Sequence, residues 1–130
     1  MNFAPLKNAV ESFKHSADRY QAAFAKLQSD SAPALPPQVL DSLNTDLLKI
    51  QRTFLTERGL PERPWFKHQV YAPGAYTGYG AKPIAAVREY MDAKKWAEAE
   101  AQVPVVAKVL EDVAAAIGKA AGELEAVTGH

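Results

Sequence analysis

The chain has 130 residues, and its fifteen basic and fifteen acidic side chains cancel without collecting into long blocks. That length suits one domain with a core of its own, and the balanced charge excludes the basic footprint of a nucleic-acid binder. The lack of cysteine excludes disulfides, thiolate nucleophiles and cysteine-ligated zinc, while no apolar run approaches a membrane span and Met1-Asn2-Phe3-Ala4-Pro5 has neither a basic nor an apolar leader region.

From Pro5 to Gln28 the apolar residues Leu6, Val10, Phe13, Ala17, Tyr20, Phe24 and Leu27 fall alternately four and three apart. This spacing predicts a helix over 5–28 with one narrow seam, about 36 Å long at roughly 1.5 Å per residue. Pro5 suits the first turn, where its missing N–H costs nothing. Ala32-Pro33-Ala34-Leu35-Pro36-Pro37 is a stiff spacer, because each proline fixes its own φ and restricts the residue before it. A second amphipathic helix over 37–55 follows from Leu40, Leu43, Leu47, Ile50 and Phe54, with Leu48 and Leu55 widening the stripe.

The next stretch, 59–80, carries three prolines, four glycines and five aromatics, a composition that cannot propagate a helix. A long connection so rich in Trp, Phe and Tyr is expected to be an ordered loop lying against its own helices or a neighbouring domain. Ile84, Val87 and Met91 then predict a helix over 83–93. The longest pattern comes last, over 95–127, where Trp96, Ala99, Val103, Val106, Leu110, Val113, Ile117, Ala120, Leu124 and Val127 hold one heptad phase. Pro104 lies inside it and predicts a kink within a continuous helix. Ala114, Ala115, Ala116, Ala120 and Ala121 give a thin surface for close helix contact, with Gly118 costing about 1 kcal/mol against alanine. These segments combine into an all-α fold, a four-helix bundle with a long ordered aromatic, proline and glycine loop between the second and third helices. No stretch keeps period-two alternation, so a sheet is not expected.

The residues for chemistry are sparse. His15, His68 and His130 are far apart in sequence, and no His-Glu-x-x-His motif accompanies them. The serines Ser12, Ser16, Ser29, Ser31 and Ser42 lie on helices or at their edges, outside any Gly-x-Ser-x-Gly elbow. Glu57 and Glu62 flank the loop and could form a carboxylate pair, but ion pairs with Arg58 or Arg63 are the simpler reading. Gly74-Ala75-Tyr76-Thr77-Gly78-Tyr79-Gly80 lacks the ending of a phosphate loop; its glycines supply positive φ, and Tyr76 and Tyr79 either cover apolar surface or line a pocket.

Leu60-Pro61-Glu62-Arg63-Pro64-Trp65-Phe66-Lys67-His68-Gln69-Val70-Tyr71-Ala72-Pro73, followed by Tyr79 and a long alanine-rich helix, resembles the C-terminal helical domain of transferrin receptor and glutamate carboxypeptidase-like proteins. The resemblance covers nearly the whole chain. It implies a transferrin receptor-like dimerisation domain that forms homodimers and packs on a di-zinc peptidase domain of the M28 class. It also implies that this chain holds no cofactor, the two zinc ions and the catalytic glutamate belonging to the peptidase domain. In glutamate carboxypeptidases a Lys-Tyr pair after Tyr-Ala-Pro lines the pocket for the substrate's C-terminal residue. Here the matching pair is Gly78-Tyr79, which keeps the tyrosine and lacks the lysine, so selectivity for C-terminal glutamate is not carried over. Pro64, Trp65, Phe66, His68, Tyr71, Pro73 and Tyr76 are the residues expected to press on that neighbouring domain. Two other readings are a free-standing bundle binding a peptide or small ligand at 59–80, and a small hydrolase using His68 with Glu57 or Glu62.

Overall fold

A computed structural model of the chain describes residues 1–29, 31–76, 78 and 80–129. Four helices, α1 (Ala4–Leu27), α2 (Pro37–Thr53), α3 (Ala85–Asp92) and α4 (Trp96–Thr128), match the expected segments with each boundary within two residues. Prolines open α1 and α2, and α4 runs unbroken through Pro104. The expected absence of a sheet is corrected by two short strands, β1 (Tyr71–Pro73) and β2 (Ala81–Pro83). They pair antiparallel with Ala72 opposite Lys82. Three residues per strand are too few to register as alternation in the sequence, and a proline stands in each.

Among the described residues the backbone of α4 comes close to each of the other helices, while the backbones of α1, α2 and α3 do not come close to one another. The last helix is thus a central spine, which is why it buries Val103, Val106, Ala107, Val109, Leu110, Val113 and Ala114 on a broad face. Of its expected seam, Ala99, Val103, Val106, Leu110, Val113, Ala120 and Leu124 are buried, but Trp96 is exposed. On α1 the contact line is shifted from the expected one. Ala9 and Ala23 are buried while Val10 and Phe24 face outward, and Leu6, Phe13, Tyr20 and Leu27 are half-buried. The closest approach therefore runs along Ala9, Ser16 and Ala23, seven residues apart. A Cβ on Gly118 of α4 would stand 3.3 Å from Ser16 Oγ, so small residues on both helices let the backbones come together. On α2 only Leu43 is buried; Leu40 and Leu48 are exposed, and so is Leu55 just beyond the helix.

Three clusters divide the core. One joins Ala9, Val87, Val103, Val106 and Leu110; a second joins Ala23, Leu43, Ala120 and Leu124; the third, Leu60, Ala72, Ala85 and Ala86, seats the connector on α3. Polar struts fasten the far half of α4. Arg19 donates two bonds to Glu125 at 3.0 and 2.5 Å, and Lys119 meets Asp46 at 2.5 Å.

Candidate functional site

The connector between α2 and α3 is the candidate site, and it is a built structure. Gly59 takes φ +65°, and a Cβ there would fall 2.2 Å from the Pro64 carbonyl oxygen. Only glycine fits that approach. Beyond it, the Leu60 and Phe66 backbones bond at 2.9 Å and Arg63 N–H donates to the Leu60 carbonyl at 3.1 Å, closing a tight turn. The start of the connector also folds back on its middle: Thr56 N–H donates to the Lys67 carbonyl and Gln69 N–H to the Phe54 carbonyl, both at 3.0 Å. Gln69 is buried, and its Nε2 donates to Thr56 Oγ1 at 2.8 Å and to the Lys67 carbonyl at 3.2 Å. A buried amide satisfied in this way locks one local geometry.

His68 stacks on Phe54 at 5.2 Å with 13° between the rings. Its Nδ1 accepts from the N–H groups of Tyr71 at 3.0 Å and Val70 at 3.3 Å, and burial pushes its pKa down. An imidazole accepting on Nδ1 is neutral and carries its proton on Nε2. The geometry is that of a structural turn residue, since that lone pair is occupied by the main chain.

Arg63 pairs with Glu89 of α3, not with Glu57 or Glu62 as its nearness in sequence suggests. Its Nη2 donates to both carboxylate oxygens at 2.8 and 2.6 Å, its Nη1 to the Pro73 carbonyl at 2.7 Å, and its guanidinium covers the Phe66 ring at 5.3 Å. Glu89 Oε1 also accepts from Ala75 N–H at 2.8 Å. Sequence reasoning missed this clamp because its partners are 26 residues apart and only the packing of α3 on the connector brings them together.

The expected docking residues divide by orientation. Phe66 packs into the third cluster beside Leu60 and Ala86, and His68 is half-buried. Trp65, Tyr71 and Tyr76 point outward, 67%, 62% and 88% exposed, and Pro64 and Pro73 are exposed with them. Gly78 is exposed at φ +58°, donating to the Gly74 carbonyl at 3.2 Å. Its expected companion Tyr79 lies outside the described residues.

A shallow concavity of about 180 Å³ lies on the connector itself at Tyr71, Pro73, Gly78 and Ala81, and two others adjoin it. A cleft of about 230 Å³ lies between the connector and α3, walled by Arg63, Ala75, Tyr76, Glu89, Tyr90 and Lys95; that is below the roughly 300–1,000 Å³ of pockets for drug-sized ligands. The other is an open apolar groove of about 790 Å³ between α1 and α3, lined by Phe3, Leu6, Val10, Ile84, Val87 and Met91. Lys7 and Glu11 edge it on α1, Arg88 and Asp92 on α3. Among the described residues no three His, Asp or Glu side chains gather as a metal-ligand set. No described helix is long and apolar enough to cross a membrane.

The transferrin receptor-like dimerisation domain family matches residues 1–118. A protein named "Probable glutamate carboxypeptidase" from Arthroderma benhamiae is 35% identical over 94 residues, covering 72% of this chain and 12% of that protein. "Aminopeptidase NAALADL1" from Rattus norvegicus is 29% identical over 122 residues, 90% of this chain and 16% of its own length. "Probable glutamate carboxypeptidase LAMP1" from Arabidopsis thaliana is 40% identical over 53 residues, 41% of this chain and 8% of that protein. The chain therefore spans only a small fraction of the relatives it matches.

Proposed function

Because the chain belongs to the transferrin receptor-like dimerisation domain family, we propose that it is the non-catalytic helical domain of a glutamate carboxypeptidase-like zinc peptidase of the M28 class. In this reading it joins two copies of that enzyme and braces the peptidase domain, which holds the two zinc ions and breaks the peptide bond. Gly78 and Tyr79 line the edge of the substrate pocket, and the rest of the connector is the docking face.

The observation that carries this reading is the outward aromatic surface of the connector. Trp65, Tyr71 and Tyr76 are exposed on a frame braced by Gly59, Gln69 and the Arg63–Glu89 pair. Large aromatic side chains held rigidly toward solvent are the anchors that interfaces use, because little conformational entropy is lost when they are covered. The α1–α3 groove is the face for a second copy. Along its rim each helix presents a base and, one turn later, an acid, so a two-fold partner whose matching helix runs antiparallel sets bases against acids.

The test is binding of this chain to the separately produced peptidase domain of the same protein. Trp65→Ala and Tyr76→Ala are expected to weaken association by about 2 kcal/mol each, roughly thirtyfold, the usual scale for an aromatic anchor. Their melting temperatures should match the parent's, since both side chains are exposed. Binding that both substitutions leave unchanged removes the connector from the interface.

A further inference from the structure

The Arg63–Glu89 pair does more than tie the connector to α3. Glu89 Oε1 accepts from Ala75 N–H at 2.8 Å, and Arg63 Nη1 donates to the Pro73 carbonyl at 2.7 Å. One ion pair thus grips the main chain on both sides of Gly74. Both side chains are largely buried, 13% and 15% exposed, where charge-assisted bonds are stronger than in water. The chain they hold is the start of the turn that carries Gly78 and leads to Tyr79. That turn is closed by backbone bonds, Gly74 N–H to the Gly80 carbonyl at 2.9 Å and Gly78 N–H to the Gly74 carbonyl at 3.2 Å. Among the described residues of this turn Ala75, Tyr76 and Gly78 are exposed, and at Gly78 a Cβ would meet nothing within 4 Å. Its base is held by the pairing of β1 with β2 and by the Arg63–Glu89 grip on Pro73 and Ala75.

We propose that Arg63 and Glu89 are positioning residues: they touch no substrate, but they place the 74–80 turn and thereby set how tightly the pocket it borders holds the terminal residue of a peptide. The affinity claim rests on the reading that the chain belongs to a peptidase, whereas the placement of the turn does not.

Three variants test it. Glu89→Gln keeps an oxygen for Ala75 N–H and loses the charge. Arg63→Lys keeps the charge but lacks the planar fork that reaches Glu89 and Pro73 together. The exchange R63E/E89R restores an ion pair between the two positions while removing both main-chain bonds, because a carboxylate cannot donate to the Pro73 carbonyl and a guanidinium cannot accept from Ala75 N–H. Hydrogen exchange on this chain should show the amides of Gly74, Ala75 and Gly78 opening about tenfold faster in the two single variants, the scale of weakening one such bond, and faster still in the exchange variant, which loses both, with α4 amides unchanged. In the full-length enzyme KM for peptide substrates should rise about tenfold with kcat within about twofold. A purely structural ion pair predicts instead that the exchange variant recovers parental loop protection and KM. That recovery, or parental loop exchange in the single variants, overturns the positioning role. A full-length protein that turns over no peptide overturns the affinity claim together with the reading beneath it, and leaves the exchange experiment to judge the placement of the turn.

Discussion

Gly59 is the residue on which the connector turns. Its φ of +65° and the 2.2 Å approach to the Pro64 carbonyl make any side chain a double offence, steric and torsional. Gly59→Ala is expected to lower stability by about 2 kcal/mol or more, read from the urea midpoint, whereas Gly78→Ala should cost less because it meets only the torsional penalty. His68 makes a pH prediction. Its folded-state pKa is lowered by burial, so the unfolded chain binds the proton more readily and stability declines as pH falls below the unfolded value of about 6.5. Protonation also turns Nδ1 into a donor facing the N–H groups of Val70 and Tyr71. Melting temperature should therefore fall between pH 7.5 and 5.5, and His68→Gln should flatten that slope; an unchanged slope in the variant assigns the titration elsewhere. The role of His68 was not legible in the sequence, because nothing there says that its nitrogen closes a turn.

Helices carry the next scale. Their existence and extent follow from apolar spacing, but the buried side of α1 does not, since the alternation that includes Val10 and Phe24 and the one that includes Ala9 and Ala23 are both helical. The structure buries the small residues, because the alanine-rich stretch of α4 allows close approach and large side chains at the contact line would hold the helices apart. Gly118 and Gly122 lie in that stretch with different surroundings. Gly122 has nothing within 4 Å of where a Cβ would stand, so Gly122→Ala should stabilise by about 1 kcal/mol through helix propensity alone. Gly118→Leu should destabilise, because its Cβ alone already crowds Ser16 at 3.3 Å and the rest of the side chain has to enter the α1–α4 contact. Denaturant titration of the two variants measures both signs.

At the scale of the molecule, three helices set around a central one leave apolar surface uncovered. Val10, 48% exposed, lines the α1–α3 groove, and Phe24, Leu40 and Leu48 are also open to solvent. If the groove receives a second copy, light scattering at high micromolar concentration should give twice the chain mass, and Val10→Glu should return it to that of one chain with little change in melting temperature. A parental chain that scatters as a single copy throughout would mean that pairing requires surface from outside these residues. An interface of ordinary size buries about 1,600 Å², more than a single groove offers, so the contact is expected to continue along α1 toward Phe24.

Periodicity and proline placement determined the number of helices, their ends and the position of the long connector, because those depend on local backbone preferences that each segment carries within itself. The Leu60–Pro73 stretch likewise pointed to the family. Which face of α1 turns inward, the short hairpin of Tyr71–Pro73 and Ala81–Pro83, and the partnership of Arg63 with Glu89 were decided only by tertiary structure. Each depends on contact between segments distant along the chain, and a sequence pattern records what a residue can bury but not what will be there to cover it.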